Sequence, residues 1–226
     1  AVPEGALDYW KERLAQQGVS GLEDHEAFGE KRLRFNAPDG DVFTLTEVDG
    51  DPRAAYAGGP VPGSEGVHGF RGVTMRLRDG GATGELLKFM NYDEVEKRGN
   101  TTRYAVKGGN GADFVDLEVL PGAEPARQGA GSVHHVAFAV EDRAAQIEVR
   151  KALMDTGYQV TPVIDRDYFW AIYFRTPGGV LFEIATNEPG FDRDEDTAHL
   201  GEALRLPAQH AHLRDRIEAM LPPIAD

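Results

Sequence analysis

The chain has 226 residues, and its 24 Lys and Arg stand against 38 Asp and Glu, a formal charge of −14. That balance excludes a broad nucleic-acid or anionic-membrane surface, because both require clustered positive charge against phosphate. Cysteine is absent, which excludes disulfides, thiolate metal sites and a Cys nucleophile, so any metal must rest on His, Asp or Glu. Hydrophobic residues at 41% suffice for a packed core. No apolar run reaches the roughly 18–20 residues that a bilayer span needs, and no signal peptide is recognisable. The expected compartment is the cytoplasm.

In chain order, Ala1-Val2 reads as the end of a strand. A helix follows, with Leu7, Trp10 and Leu14 on one face and its end at Gly18. EKRLRF (30–35), the turn Pro38-Asp39-Gly40 and VFTLTEV (42–48) read as strand, turn and strand. Residues 57–66, rich in Gly and Pro, read as a linker. FRGVTMRL (70–77) is an expected strand, GELLKFMN (84–91) a short helix, and 102–120 a hairpin turning at Gly108–Gly111. That Gly-rich turn lacks the ending of a phosphate loop. A second linker spans 121–132.

The third block opens with VHHVAFAV (133–140), a Val-rich and Phe-rich strand. A helix with Ala145, Val149, Ala152 and Leu153 on one face ends near Gly157. FWAIYFR (169–175), the turn Pro177-Gly178-Gly179 and VLFEIAT (180–186) complete the block. In the tail, Pro207 suits a helix's first turn, and Leu213, Ile217 and Met220 form a face. His199, His210 and His212 in this tail read as solvated surface.

Blocks one and three repeat. A constant offset aligns Phe35 with Phe174, Pro38 with Pro177 and Phe43 with Phe182. The unit is βαβββ, and block two fits it more loosely. The expected organisation is therefore α+β: a partial module at 1–56, modules at 67–120 and 133–190, and a helical tail at 191–226.

Two residues of block three attract chemistry. His135 lies on its first strand and Glu183 on its last, facing away from Phe182 and Ile184. A carboxylate in so apolar a strand is costly to bury unless it is paired or metal-bound. His with a carboxylate, and no Cys, suits Fe(II), Mn(II) or Zn(II). On the residues alone, a packed His and an edge-strand Glu remain the competing reading.

The repeated βαβββ unit, the His-Val-x-Phe start and the Pro-Gly-Gly-x-x-x-Glu end resemble the vicinal oxygen chelate superfamily, which includes glyoxalase I, bleomycin-resistance proteins and extradiol dioxygenases. DRDYFWAIYFRTPGGVLFEIATNEPGF (165–191) and DEDTAHLGEALRLPAQH (194–210) resemble its hydroquinone-type ring-cleaving dioxygenases. The resemblance spans essentially the whole chain. It implies curled mixed sheets and an Fe(II) held by two His and one Glu, with Mn(II) as the alternative ion. By position, His135 and Glu183 would be metal ligands, and His134, Arg166 and Tyr173 would contact substrate or oxygen. Arg166 could equally pair with Asp165 or Asp167 at the surface, and Tyr173 could be a half-buried strand aromatic.

The resemblance further implies four modules, with the remaining His ligand on the first. Against that plan the chain is expected to lack one module and a strand. Blocks one and two are expected to be scaffold: Thr44 stands at the position of Glu183, Arg34 at that of Tyr173 and Gly72 at that of His135. The implied partners are a small aromatic substrate and O₂, with neither nucleic acid nor membrane, and exposed module faces would favour a homodimer. A glyoxalase-type lyase or isomerase using Zn(II) or Ni(II), and a non-enzymatic drug-binding protein, are the alternatives that the same scaffold hosts.

Overall fold

The structure, a computed structural model, describes residues 1–56 and 59–222. Ala57 and Gly58 of the expected first linker, and residues 223–226 of the tail, lie outside the described residues. Two compact units emerge: Ala1–His134 with Thr176–Val180, and His135–Arg175 with Leu181–Asp226.

The first unit holds two four-stranded sheets. One is built from β1 (Val2–Pro3), α1 (Leu7–Gln16), β2 (Ser20–Ala27), β3 (Glu30–Asn36) and β4 (Val42–Val48), in the order β1-β4-β3-β2. The other comprises β5 (Gly72–Leu77), α2 (Gly81–Phe89), β6 (Asp93–Arg98), β7 (Thr101–Ala105) and β8 (Phe114–Val119), ordered β5-β8-β7-β6. The second unit contains β9 (Val136–Val140), α3 (Arg143–Asp155), β10 (Ile164–Asp165), β11 (Phe169–Arg175), β12 (Leu181–Pro189) and α4 (Arg214–Glu218). Its sheet runs β10-β11-β12-β9. In every sheet the first strand pairs in parallel with the last, and the remaining pairs are antiparallel. The helix is the crossover that parallel pairing requires.

Local chemistry sets the ends of these elements. Asp142 caps α3 by accepting from the Ala145 N–H at 2.8 Å. Gly157, at φ 95°, lets the chain leave the helix. The expected strand at 133–140 begins only at Val136, because Ser132 closes a turn onto Gly129, its N–H and hydroxyl both bonding that carbonyl. The expected tail helix is a 3₁₀ turn at Ala208–Leu213 running into the five-residue α4. β2 and β6, with the sequences SGLEDHEA and DEVEKR, are strands that the hydrophobic pattern does not announce.

The core of the second unit lies between α3 and its sheet. Leu153, Ile172, Phe174, Phe182 and Ile184 are buried there. The Phe182 ring lies 4.7 Å from that of Phe138 and 5.8 Å from that of Phe174. A polar side chain of α3 also enters this core. The Nε2 of Gln146 donates to the carbonyls of Trp170 and Ile184 at 2.7 and 2.8 Å. The β11–β12 register shifts between Phe169 and Ala171, so Gln146 completes the hydrogen bonding of a bulge that the ladder leaves open.

The first unit is tied instead by charge. Arg103 forks onto Asp116, with Nε and Nη2 at 2.8 and 2.9 Å from its two oxygens. Its Nη1 donates to Glu30 of the other sheet at 2.8 Å. Glu30 also accepts from Arg32 at 2.5 Å and Arg71 at 3.1 Å. The Arg103 guanidinium sits 4.2 and 4.5 Å from the ring centroids of Phe28 and Phe114. Burial works against ionising Glu30, but the hydrogen bonds from Arg32 and Arg103 prevail and hold its carboxyl below the usual range.

Two stability predictions result. Gln146→Leu strips one buried and one half-buried carbonyl of a donor, while removing an unpartnered buried amide oxygen, and should cost about 1–3 kcal/mol in urea unfolding. Because the Glu30 pKa is depressed in the folded state, its contribution is present above the unfolded carboxylate value of about 4.3 and is lost as pH falls through the lower folded value. Glu30→Gln should therefore lower the unfolding midpoint at pH 7, and the gap to the parent protein should close on acidification.

Candidate metal centre

The centre is built on three neighbouring strands. On β12, Phe182 and Ile184 turn toward α3, and the strand period sends Glu183 to the other face. Its antiparallel neighbour in register is Tyr173 on β11, and its parallel neighbour is Ala137 on β9. The small Ala137 side chain leaves space beside the carboxylate. His135, one residue before β9, reaches into it: its Nε2 lies 2.6 Å from Glu183 Oε2.

Glu183 is only 3% exposed, and its other oxygen, Oε1, is buried with no hydrogen-bond partner. A buried carboxylate oxygen left without a donor is rare in a folded protein. An imidazole nitrogen and a carboxylate oxygen at one point are also the donor pair that Fe(II), Mn(II) and Zn(II) take. On both counts the residues fit a divalent ion. Among the described residues, no group of three or more His, Asp, Glu or Cys converges anywhere. His135 and Glu183 would supply two ligands and leave the remaining positions to other donors.

Tyr173 stands edge-on to His135, with ring centroids 6.0 Å apart and planes at 86°. Arg166 Nη2 donates to its hydroxyl at 3.2 Å, and the guanidinium lies 5.4 Å from its ring centroid. Burial raises the Tyr173 pKa; the Arg166 hydrogen bond lowers it, and the hydrogen bond to Glu183 and that carboxylate's charge raise it again, for a net upward shift. The phenol thus keeps its proton at neutral pH.

The tight turn that carries Arg166 is fixed at several points. The Arg166 N–H donates to the Phe169 carbonyl, and the Asp167 N–H to the Asp165 carboxylate. Asp167 has φ 69° and is held by Arg193 through its carbonyl at 2.5 Å and its carboxylate at 3.1 Å. The acids flanking Arg166 thus have other work, and Arg166 turns to Tyr173. His134 has an exposed side chain beside His135 in the chain. Sequence reading overlooked Arg193, Gln146 and Thr161; only the last had a signal, since the residue before a proline is held extended.

The second sheet of the first unit repeats the lattice with other residues. Asp116 pairs with Arg103 on one side and Thr74 on the other, as Glu183 pairs with Tyr173 and Ala137. The carboxylate is therefore kept, but an arginine faces it. Gly72 stands two residues before Thr74, where His135 stands before Ala137. A Cβ on Gly72 would lie 2.4 Å from the Phe114 carbonyl oxygen, so no side chain fits there.

The family model for the Glyoxalase/Bleomycin resistance protein/Dioxygenase superfamily matches residues 3–184. The chain belongs to this superfamily. Within it, the chain is 37% identical over 223 residues to a Bacillus subtilis protein named as a candidate ring-cleaving dioxygenase, MhqO, covering 98% of this chain and 70% of that one. It is 34% identical over 226 residues to the chlorohydroquinone/hydroquinone 1,2-dioxygenase of Sphingobium indicum, covering 95% of this chain and 68% of that one. A Bacillus subtilis crystal structure, also titled as a candidate dioxygenase, superposes with a TM-score of 0.91 at 36% identity, covering 99% of this chain and 72% of that one. The superfamily's curled βαβββ sheets are those described above.

The steric reading of Gly72 carries a prediction. Gly72→Ala should lower stability by about 1–3 kcal/mol in chemical unfolding, the range for overfilling a packed site.

Proposed function

We propose that the chain forms part of a metal-dependent dioxygenase that opens hydroquinone-like or catechol-like rings with O₂. The observation that carries this reading is the convergence of His135, Glu183, Tyr173 and Arg166, with a buried Glu183 oxygen lacking any partner. Identity of 34% to a hydroquinone 1,2-dioxygenase over nearly the whole chain supports it. So do three Bacillus subtilis relatives named as candidate ring-cleaving dioxygenases, at 37%, 34% and 33% identity.

His135 Nε2 and the Glu183 carboxylate would hold Fe(II), with Mn(II) as the alternative, and the ion would supply the one-electron chemistry that joins a spin-paired ring to O₂. Everything else falls to side chains. Arg166 is a fixed cation beside the ligands and stabilises negative charge on a substrate oxygen as it develops. Tyr173 holds a proton on a hydroxyl that Arg166 orients, and is placed to give that proton to an oxygen of the opening ring. His134, exposed next to His135, suits proton exchange with solvent. The net reaction breaks one ring C–C bond and incorporates both atoms of O₂, so the ring is the only reductant required.

The test uses the full-length protein loaded with Fe(II) under argon, then mixed with hydroquinone or catechol and O₂. Consumption of O₂ with both oxygen atoms in the product is expected. His135→Ala and Glu183→Ala should abolish it, and Tyr173→Phe should lower kcat by about 10²–10⁴-fold, the usual range for a general acid–base group. Turnover that continues without O₂, or undiminished in either ligand variant, refutes the assignment.

A further inference from the structure

Tyr173 lies on β11, whose partner on one side is β12 and on the other the two-residue β10. The β10–β11 register pairs Ile164 with Ala171. Continued along the strand, it sets Pro162 opposite Tyr173. Proline has no N–H to give, so the ladder cannot extend in the regular way.

Thr161 takes its place. Its N–H donates to the Tyr173 carbonyl at 3.0 Å. Its Oγ1 accepts from the Tyr173 N–H, also at 3.0 Å. One residue thus satisfies both backbone groups of Tyr173, its N–H replacing the donor that Pro162 lacks and its hydroxyl accepting where a ladder carbonyl ordinarily would. The carbonyl of Thr161 is engaged elsewhere, accepting from Arg150 Nε of α3 at 2.8 Å. Pro162 restricts Thr161 to extended backbone, and its branched side chain is stiff about χ1. The clamp is therefore set from three sides before Tyr173 meets it.

We propose that Thr161 is the positioning residue for Tyr173, an inference that rests on the proton-donor role given to Tyr173 above. The Tyr173 hydroxyl sits at the far end of a rigid ring, so a small rotation of its backbone becomes a large displacement at the oxygen. Arg166, by a hydrogen bond of 3.2 Å, and Glu183 act on that oxygen alone and leave the backbone that carries the ring to be fixed elsewhere. Displacement of a reacting group by about 1 Å can cost on the order of 100-fold in rate. A looser clamp should cost less than that and should leave substrate binding alone.

The experiment uses the full-length protein with Thr161→Val, which keeps the shape without the hydroxyl, Thr161→Ser, which keeps the hydroxyl, and Thr161→Ala in case the valine variant fails to fold. Amide hydrogen exchange at Tyr173, read by NMR without metal, should be at least about tenfold faster in Thr161→Val and near parental in Thr161→Ser. In the Fe(II)-loaded protein, Thr161→Val should lower kcat about tenfold with KM within about twofold, and Thr161→Ser should restore it. Placed on Tyr173→Phe, Thr161→Val should cost nothing more, because its effect runs through the phenol. An unchanged Tyr173 amide, or an equal loss in both backgrounds, overturns the proposal. A parent protein that consumes no O₂ with hydroquinone or catechol refutes the dioxygenase reading instead, and the exchange data still decide the clamp.

Discussion

A carboxylate set between Phe182 and Ile184 must find compensation, since removing an anion from water costs several kcal/mol unless it is paired or bound. In the second unit nearly everything nearby answers that constraint. β9 offers the small Ala137 opposite Glu183 and then presents His135. β11 places Tyr173 alongside, and the turn beyond β10 brings Arg166 to the Tyr173 hydroxyl. One oxygen of Glu183 still lacks a donor. The apolar face of the same strand meets the opposite demand, packing Phe182 and Ile184 under α3 with almost no exposed surface.

The second sheet shows what happens when the same lattice point receives a different answer. Asp116 has a carboxylate where Glu183 has one, but its compensation is a forked guanidinium lodged between two phenyl rings. Arg103 then reaches Glu30 and binds two sheets of one unit together. A fixed organic cation closes the space there, whereas here an imidazole and a phenol stand beside the carboxylate. Two modules built to one plan thus diverge into a structural tie and a candidate metal centre through the residues opposite one carboxylate.

Much of this was legible from residues. β11 falls at 169–175 as read, β12 begins within one residue of its expected start, and both repeat helices end at the glycines that the pattern marks. These segments carry the alternation and the breakers on which such reading depends. β2 and β6 were not delimited, because charges on both faces erase the period-two signal; their strand character comes from pairing with β3 and β7. The site divides in the same way. Glu183 stands out as an acid in an apolar strand, and the family resemblance singles out Arg166 and Tyr173. Gln146 and Arg193 look like ordinary helix and surface residues, and the proline after Thr161 marks only its extended backbone, since what all three do depends on which carbonyl or amide lies opposite them in space.

Gly72 bears on how such a repeat can change over time. With the backbone of β5 so close to the Phe114 carbonyl that no Cβ fits, a single substitution cannot place a histidine there. The strand would first have to move apart, at a cost in stability borne before any ligand appeared. The close packing of β5 on β8 therefore acts as a one-way gate: duplication can supply the module with a fresh ligand, but point mutation of the existing copy cannot.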